Sequence, residues 1–228
     1  MPNLKLIYFK MRALAEAPQL MLHYSGTPYS YEMGWDYFGQ PWSEVKSSVL
    51  YRQLPLLVVN ESTEIFQSGA ITRYLAGLLG LKPDDALLLA EVDALYEASQ
   101  ELFSPLNPTI NFAVGEKFLS MRINLIEQLT PRFEDFERIL GSQPMTPFFF
   151  GKDPFYCDFG VFHQVNLALN LDDNLLDPYP FLSEFLSNFE RLDGVKEYLD
   201  SRPELIGVGS EPQLLIDGVA KSTGIVNE

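Results

Sequence analysis

The sequence predicts an α/β domain followed by an all-α domain, and three observations carry that prediction. Strand and helix signals alternate through residues 1–81. A polar, proline-bearing stretch, Lys82-Pro83-Asp84-Asp85, then interrupts the pattern. Beyond it strand signals mostly vanish and apolar residues recur at helical spacing. The expected division is a domain over residues 1–81, a linker over 82–85, a helical domain over 86–205 and a loosely attached tail, rich in Gly and Ser, over 206–228.

Each element has its own signal. Leu4 to Phe9 is a short apolar-rich run that suits a strand. From Ala13 to Tyr24, residues Leu14, Ala17, Leu20, Met21 and Tyr24 fall three or four apart, as on one helix face. Ser25-Gly26-Thr27-Pro28 stops that helix. Tyr29 to Met33 reads as a second strand, parallel to the first because a helix crosses between them. Gly34 to Pro41 reads as a loop, and Trp42 to Ser47 as a short helix. Leu54 to Val59 and Glu64 to Phe66, joined by a turn at Asn60 to Thr63, predict a hairpin. A helix from Ser68 to about Leu79 ends at Gly80. In the second part, helices are expected over Ala86 to Phe103, Glu116 to Leu140, Cys157 to Asn170, Pro180 to Leu192 and Val195 to Asp200. The longest has Phe118, Ile123, Ile126, Leu129, Phe133, Phe136 and Leu140 as its apolar face.

Composition excludes several functions. At 228 residues and 46% hydrophobic content, a packed globular protein is expected. A formal net charge of −15 is a poor basis for gripping phosphates, so neither a nucleic acid nor an anionic membrane surface is an expected partner. A single cysteine, Cys157, allows no internal disulfide and no cysteine-rich metal site. Only two histidines, His23 and His163, leave few routes to zinc binding or to a Ser-His-Asp triad, and no metal is expected. The opening Met1-Pro2-Asn3-Leu4-Lys5 lacks the pattern of a signal peptide. No apolar run approaches the roughly 20 residues of a membrane span, so the cytoplasm is the expected location.

Four segments resemble the cytosolic glutathione transferases, in the right order and at the right spacing. Pro2 to Phe9 followed by Arg12-Ala13-Leu14-Ala15-Glu16 looks like the opening of the sigma class, which includes glutathione-dependent prostaglandin D synthases. Gln53-Leu54-Pro55 matches the segment before the third strand, and Gln67-Ser68 with Ile71, Arg73, Tyr74 and Leu75 matches the glutathione-binding turn and helix. Gly151 to Phe159 resembles the folding motif at the start of a buried helix. The match covers about residues 1 to 203. It implies a thioredoxin-like first domain, glutathione as co-substrate and a two-fold homodimer.

The resemblance also assigns roles. Tyr8, at the end of the first strand, would donate its phenolic O–H to the sulfur anion of glutathione; alone, it would read as an ordinary strand aromatic. Leu54 would pair its main-chain groups with the cysteinyl part of the tripeptide, helped by a cis bond at Pro55. Ser68, at a helix start, would bind the γ-glutamyl carboxylate or serve as a plain cap, and both can hold together. Gln53 and Gln67 would add amide hydrogen bonds. Trp42 and Lys46 share one helix face and would reach the glycyl carboxylate; the other reading is a solvated amphipathic helix. Glu101 would reach the ligand's amino group from the partner subunit. Phe9, Met11, Phe103, Phe112 and Tyr156 are candidates for an apolar electrophile site between the domains.

Three departures qualify the match. Leu14 stands where the sigma-like motif has Arg, whose charge favours the tyrosine and sulfur anions; leucine cannot do this. Arg52 replaces a glycine before Gln-Leu-Pro. Near Asp158 the family places Ser or Thr where this chain has Phe155, so capping there is expected to differ, through Asp153. The function implied is conjugation of glutathione to small apolar electrophiles. The alternatives are a glutathione-dependent isomerase and a non-enzymatic carrier or structural relative.

Overall fold

The computed structural model describes residues 1–142 and 146–226. The first part runs β1 (Leu4–Tyr8), α1 (Glu16–Tyr24), β2 (Ser30–Met33), α2 (Gly34–Phe38), α3 (Trp42–Val45), β3 (Leu56–Val59), β4 (Thr63–Phe66) and α4 (Ser68–Leu79). Its four strands are ordered β2-β1-β3-β4. β1 and β2 are parallel, while β1–β3 and β3–β4 are antiparallel. Leu6, Ile7, Leu56 and Leu57 have no exposed surface, so the two central strands are covered on both faces. That fits their nearly continuous apolar runs.

Two boundaries differ from expectation. The first helix begins at Glu16 rather than Ala13, because the chain first turns tightly: the Met11 N–H bonds the Phe9 carbonyl at 2.9 Å and the Glu16 N–H bonds the Ala13 carbonyl at 3.0 Å. The stretch expected as a loop, Gly34 to Pro41, contains α2, closed by Gly39 at φ +66°. Five residues are too few to display a helical period.

The second part contains α5 (Ala86–Gln100), α6 (Phe103–Phe112), α7 (Gly115–Ser142), α8 (Tyr156–Ala168), α9 (Pro180–Glu190) and α10 (Val195–Ser201). Helix α8 is the axis of this body, buried at every position but Asn166. It approaches α5 so closely that a Cβ on Gly160 would lie 2.8 Å from the Ser99 Oγ. α6 escaped the sequence reading because Pro105 and Pro108 look like breakers. Pro105 sits in the first turn, where an N–H has no helical partner anyway. On α7 the buried face is Phe118, Leu125, Leu129, Phe133, Phe136 and Leu140; Ile123, expected inward, is 63% exposed.

Asp158 caps α8 itself, correcting the expectation that Asp153 does so. One carboxylate oxygen accepts the Phe155 N–H at 2.8 Å and the other the Phe149 N–H at 3.1 Å. Burial pushes its pKa up to about 6 despite those two donors. Cys157 is fully buried beside it, a core residue.

The largest correction concerns the end of the chain. Residues expected as a loose tail form a three-stranded antiparallel sheet of β5 (Glu204–Ile206), β6 (Gln213–Ile216) and β7 (Val219–Ser222). The turn between β6 and β7 is Asp217-Gly218, with φ of +50° and +77°, suiting a tight hairpin turn. The sheet is fastened at both ends. Gly209 bridges Val114, and the Gly224 N–H donates to the Lys10 carbonyl at 3.0 Å. Residues 227–228 of the expected tail lie outside the described residues.

Candidate glutathione site

The register of the first sheet gathers the predicted residues at one end. Ile7 pairs with Leu56, and Leu56 with Phe66. The next positions along this row are Tyr8, Pro55 and Gln67, on three adjacent strands or strand ends. Tyr8 also pairs with Met33, directly before α2. Neighbouring strands are about 4.8 Å apart, so the row spans roughly the width of a short extended peptide.

Tyr8 is 3% exposed. The Leu14 N–H donates to its phenolic oxygen at 3.3 Å. With an accepted bond on the oxygen, the hydroxyl proton is turned toward another acceptor. Burial raises the phenol's pKa well above its ordinary value and outweighs the opposing effect of the Leu14 N–H, so the group stays protonated at neutral pH. Leu14 thus supplies a main-chain dipole where the sigma-like motif supplies a charge, a contribution that residue identity does not reveal. Arg12 does not compensate: its guanidinium donates to the Pro203 carbonyl at 2.7 Å.

The Leu54–Pro55 peptide bond is cis. Leu54 lies outside the strand ladder and forms no backbone hydrogen bond among the described residues. Gln53 precedes it, extended and exposed. Arg52, in the glycine position, takes φ +54°, the left-handed conformation a glycine would adopt freely. Gln67 is exposed at φ +71° and caps α4 with its carbonyl, which accepts the Ile71 N–H at 3.0 Å. Ser68 is therefore the first helical residue rather than the cap. The first N–H groups of a helix lack internal partners and favour an anion.

Trp42 is 4% exposed and packs edge-on against Phe9 at 5.2 Å, while Lys46 is exposed at the end of α3. Gly34 seals this wall: a Cβ there would lie 2.8 Å from Leu54 Cδ1 and 3.5 Å from the Phe9 ring. Glu101, at the end of α5, is exposed and ion-paired with Arg132.

Of the electrophile candidates only Phe9 and Met11 come together. Phe9 is buried between Tyr8 and Trp42. Met11 lines, with Phe9, a separate cavity of about 270 Å³. Phe103 and Phe112 occupy opposite ends of α6, the first half-buried and the second 48% exposed. Tyr156 is misplaced in the expectation. Its hydroxyl donates to Asp93 at 2.6 Å, its ring lies against Tyr96 on α5, and it lines a groove with Arg73 and Leu89. The start of α8 fixes it there: its N–H is held by the Leu81 carbonyl. His23 stacks on Tyr198 at 4.4 Å, and His163 is core. Among the described residues no cluster of three or more His, Cys, Asp or Glu could hold a metal, and no helix is long and apolar enough to cross a membrane.

A mixed sheet with a cis-proline turn and an open helix N-terminus at one end, followed by a helical body, is a thioredoxin-like domain joined to an all-α one. The family model for the glutathione S-transferase N-terminal domain matches residues 4–77, and that for the C-terminal domain matches residues 115–202. The chain is 29% identical over 207 residues to glutathione S-transferase P of Caenorhabditis elegans, covering 88% of this chain and 93% of the relative. It is 28% identical over 199 residues to glutathione S-transferase Mu 4 of Mus musculus, covering 84% and 88%. The solved Pi-class glutathione S-transferase of Onchocerca volvulus superposes with a TM-score of 0.75 at 26% identity, covering 87% of this chain and 92% of that one. The chain belongs to the glutathione transferases, enzymes whose co-substrate is glutathione.

Proposed function

We propose that this protein joins the thiolate of glutathione to small, apolar electrophiles, with Tyr8 holding the thiolate. The observation that carries this reading is the Leu14 N–H on the Tyr8 oxygen, which leaves the phenolic proton for the sulfur. A free thiol has a pKa near 8.5 and is only a few per cent ionised at neutral pH. Lowering it by about two units stabilises the thiolate by roughly 2.7 kcal/mol. A charge-assisted O–H···S⁻ bond from a phenol that burial keeps neutral supplies part of that.

The remaining groups would hold the tripeptide. The unpaired Leu54 main chain suits the cysteinyl unit, and the N–H groups opening α4 at Ser68 suit the γ-glutamyl carboxylate. Gln53 and Gln67 flank these points. Lys46 would meet the glycyl carboxylate over the Trp42 indole. Glu101 would serve a partner subunit of a homodimer, exchanging Arg132 for the ligand's amino group. The opening segment favours a sigma-like member of the family acting in the cytoplasm.

A conjugation assay with a generic electrophile tests this. Tyr8→Phe is expected to lower kcat/KM about 10- to 100-fold, the size of one charged hydrogen bond, while glutathione affinity changes little. Undiminished turnover would remove the phenol from the mechanism. Failure of the wild type to bind millimolar glutathione would favour the carrier reading.

A further inference from the structure

His163 lies on α8, the buried axis of the helical body, and is 3% exposed. Its Nε2 has no hydrogen-bond partner among the described residues. Its ring donates to the main-chain carbonyl of Ala13, and with Nε2 unpartnered the donor is Nδ1. An orphaned buried nitrogen costs stability that an apolar ring of similar size would avoid. What imidazole adds at this position is one N–H aimed at Ala13.

Ala13 and Leu14 share a single peptide group. Its carbonyl faces His163, and its N–H is the one that donates to the Tyr8 oxygen at 3.3 Å. Across a trans peptide these two bonds point in opposite directions, so the group links the imidazole to the phenol. The Ala13 carbonyl also accepts the Glu16 N–H at 3.0 Å, which ties it to the first turn of α1. The bond to Tyr8 is at the long end of the normal range, so its strength depends on how the peptide is aimed. A donor on the carbonyl fixes the peptide plane and polarises the N–H, and each bond in such a chain strengthens the next.

The charged groups around His163 are Glu16, Arg202 and Arg12. Glu16 pairs with Arg202 and accepts the Tyr198 hydroxyl at 3.1 Å. Arg12 donates to the Pro203 carbonyl. Burial outweighs the attraction of Glu16 and lowers the His163 pKa to about 4. At neutral pH the ring therefore carries one proton, the one on Nδ1.

We propose that His163 is a positioning residue for the conjugation: through the Ala13 carbonyl it aims and polarises the Leu14 N–H at Tyr8, and so strengthens the phenol's bond to the thiolate. This rests on the role of Tyr8 proposed above.

The test reads the ionisation of bound glutathione from the ultraviolet absorbance of its thiolate, beside kcat and KM. His163→Phe keeps a ring of similar size and removes the donor. It is expected to raise the pH at which the bound thiol ionises by about 0.5, and to lower kcat/KM about threefold below that midpoint, the weight of one weakened hydrogen bond. The loss should fall on kcat, with KM for glutathione unchanged. His163→Asn, whose amide can stand near the Nδ1 position, should recover most of it. In a Tyr8→Phe background His163→Phe should shift the thiol no further. An equal shift in both backgrounds, or no shift from His163→Phe, would overturn the proposal. A Tyr8→Phe protein whose bound thiol ionises like the wild type's would instead remove the phenol mechanism, and this role with it. In the unsubstituted protein, 15N chemical shifts of the imidazole should show the proton on Nδ1. A ring protonated on Nε2 would leave the Ala13 carbonyl without its donor and sink the proposal, whether or not the variants fold.

Discussion

In the four-stranded sheet Leu6, Ile7, Leu56 and Leu57 are wholly buried, whereas in the three-stranded sheet β7 is exposed throughout and β6 buries only Leu214. The first sheet is held by apolar area and carries its chemistry on one rigid end. The second is held by a tight turn, by Leu205 and Leu214, and by point attachments at Val114, Lys10 and Asn111. Elements with little burial and few attachments open at low cost. Recognition of glutathione, which demands fixed geometry, belongs to the first sheet; the wall that Leu214 and Ile216 give the cavity beside Phe9 and Met11, which can tolerate movement, belongs to the second.

The junction between the two regions gives the largest effect. His163 has its pKa lowered to about 4 by burial, against about 6.5 unfolded. The unfolded chain therefore takes up the proton first. Stability is complete above pH 6.5 and falls as pH drops toward 4, by up to about 3 kcal/mol. Glu16 adds to the loss at lower pH: burial alone would raise its pKa, but Arg202 and Arg12 outweigh this and lower it, so its contribution fades below the unfolded value. Urea unfolding at pH 7.5 and 4.5 should reveal the decline, and His163→Gln should flatten it. An equally steep decline in the variant would place the titrating group elsewhere.

A smaller effect separates the sheets. Gly209 has φ +80°, and a Cβ there would lie 2.5 Å from the Phe118 ring. Gly209→Ala should loosen the second sheet by about 1–2 kcal/mol. Hydrogen exchange should quicken over residues 204–222 while glutathione affinity holds. Loss of glutathione binding in this variant would show that the sheets are not independent. The smallest effect lies beside the first sheet. Arg52→Gly removes an L-residue from the left-handed region and should stabilise the protein by about 0.5–1 kcal/mol, read as a raised urea midpoint.

Much of the first sheet was legible because its signals are local. Apolar runs, Pro55 and the Ser68 helix start fix strand, turn and helix within a few residues, and the register then aligns Tyr8, Pro55 and Gln67. What escaped was non-local or masked. The Leu14 contribution is a main-chain N–H, invisible in residue identity. α6 was hidden by two prolines that its geometry accommodates. Tyr156 looked like a pocket aromatic, but a single bond to Asp93 turns it to another face. The second sheet did leave a signal: Asp217-Gly218 between Leu214-Leu215-Ile216 and Val219-Ala220 is a hairpin pattern, outweighed in reading by the surrounding Gly and Ser.

The clasp between Gly224 and Lys10 bears on the order of assembly. It joins positions more than two hundred residues apart, and beside it Arg12 on Pro203 closes a span of 191 residues and Thr223 on Asn111 one of 112. Closures of that length follow local helices and hairpins in time. The segment leading from Tyr8 into α1 therefore takes its final shape late, after the strand that carries Tyr8 is already in place.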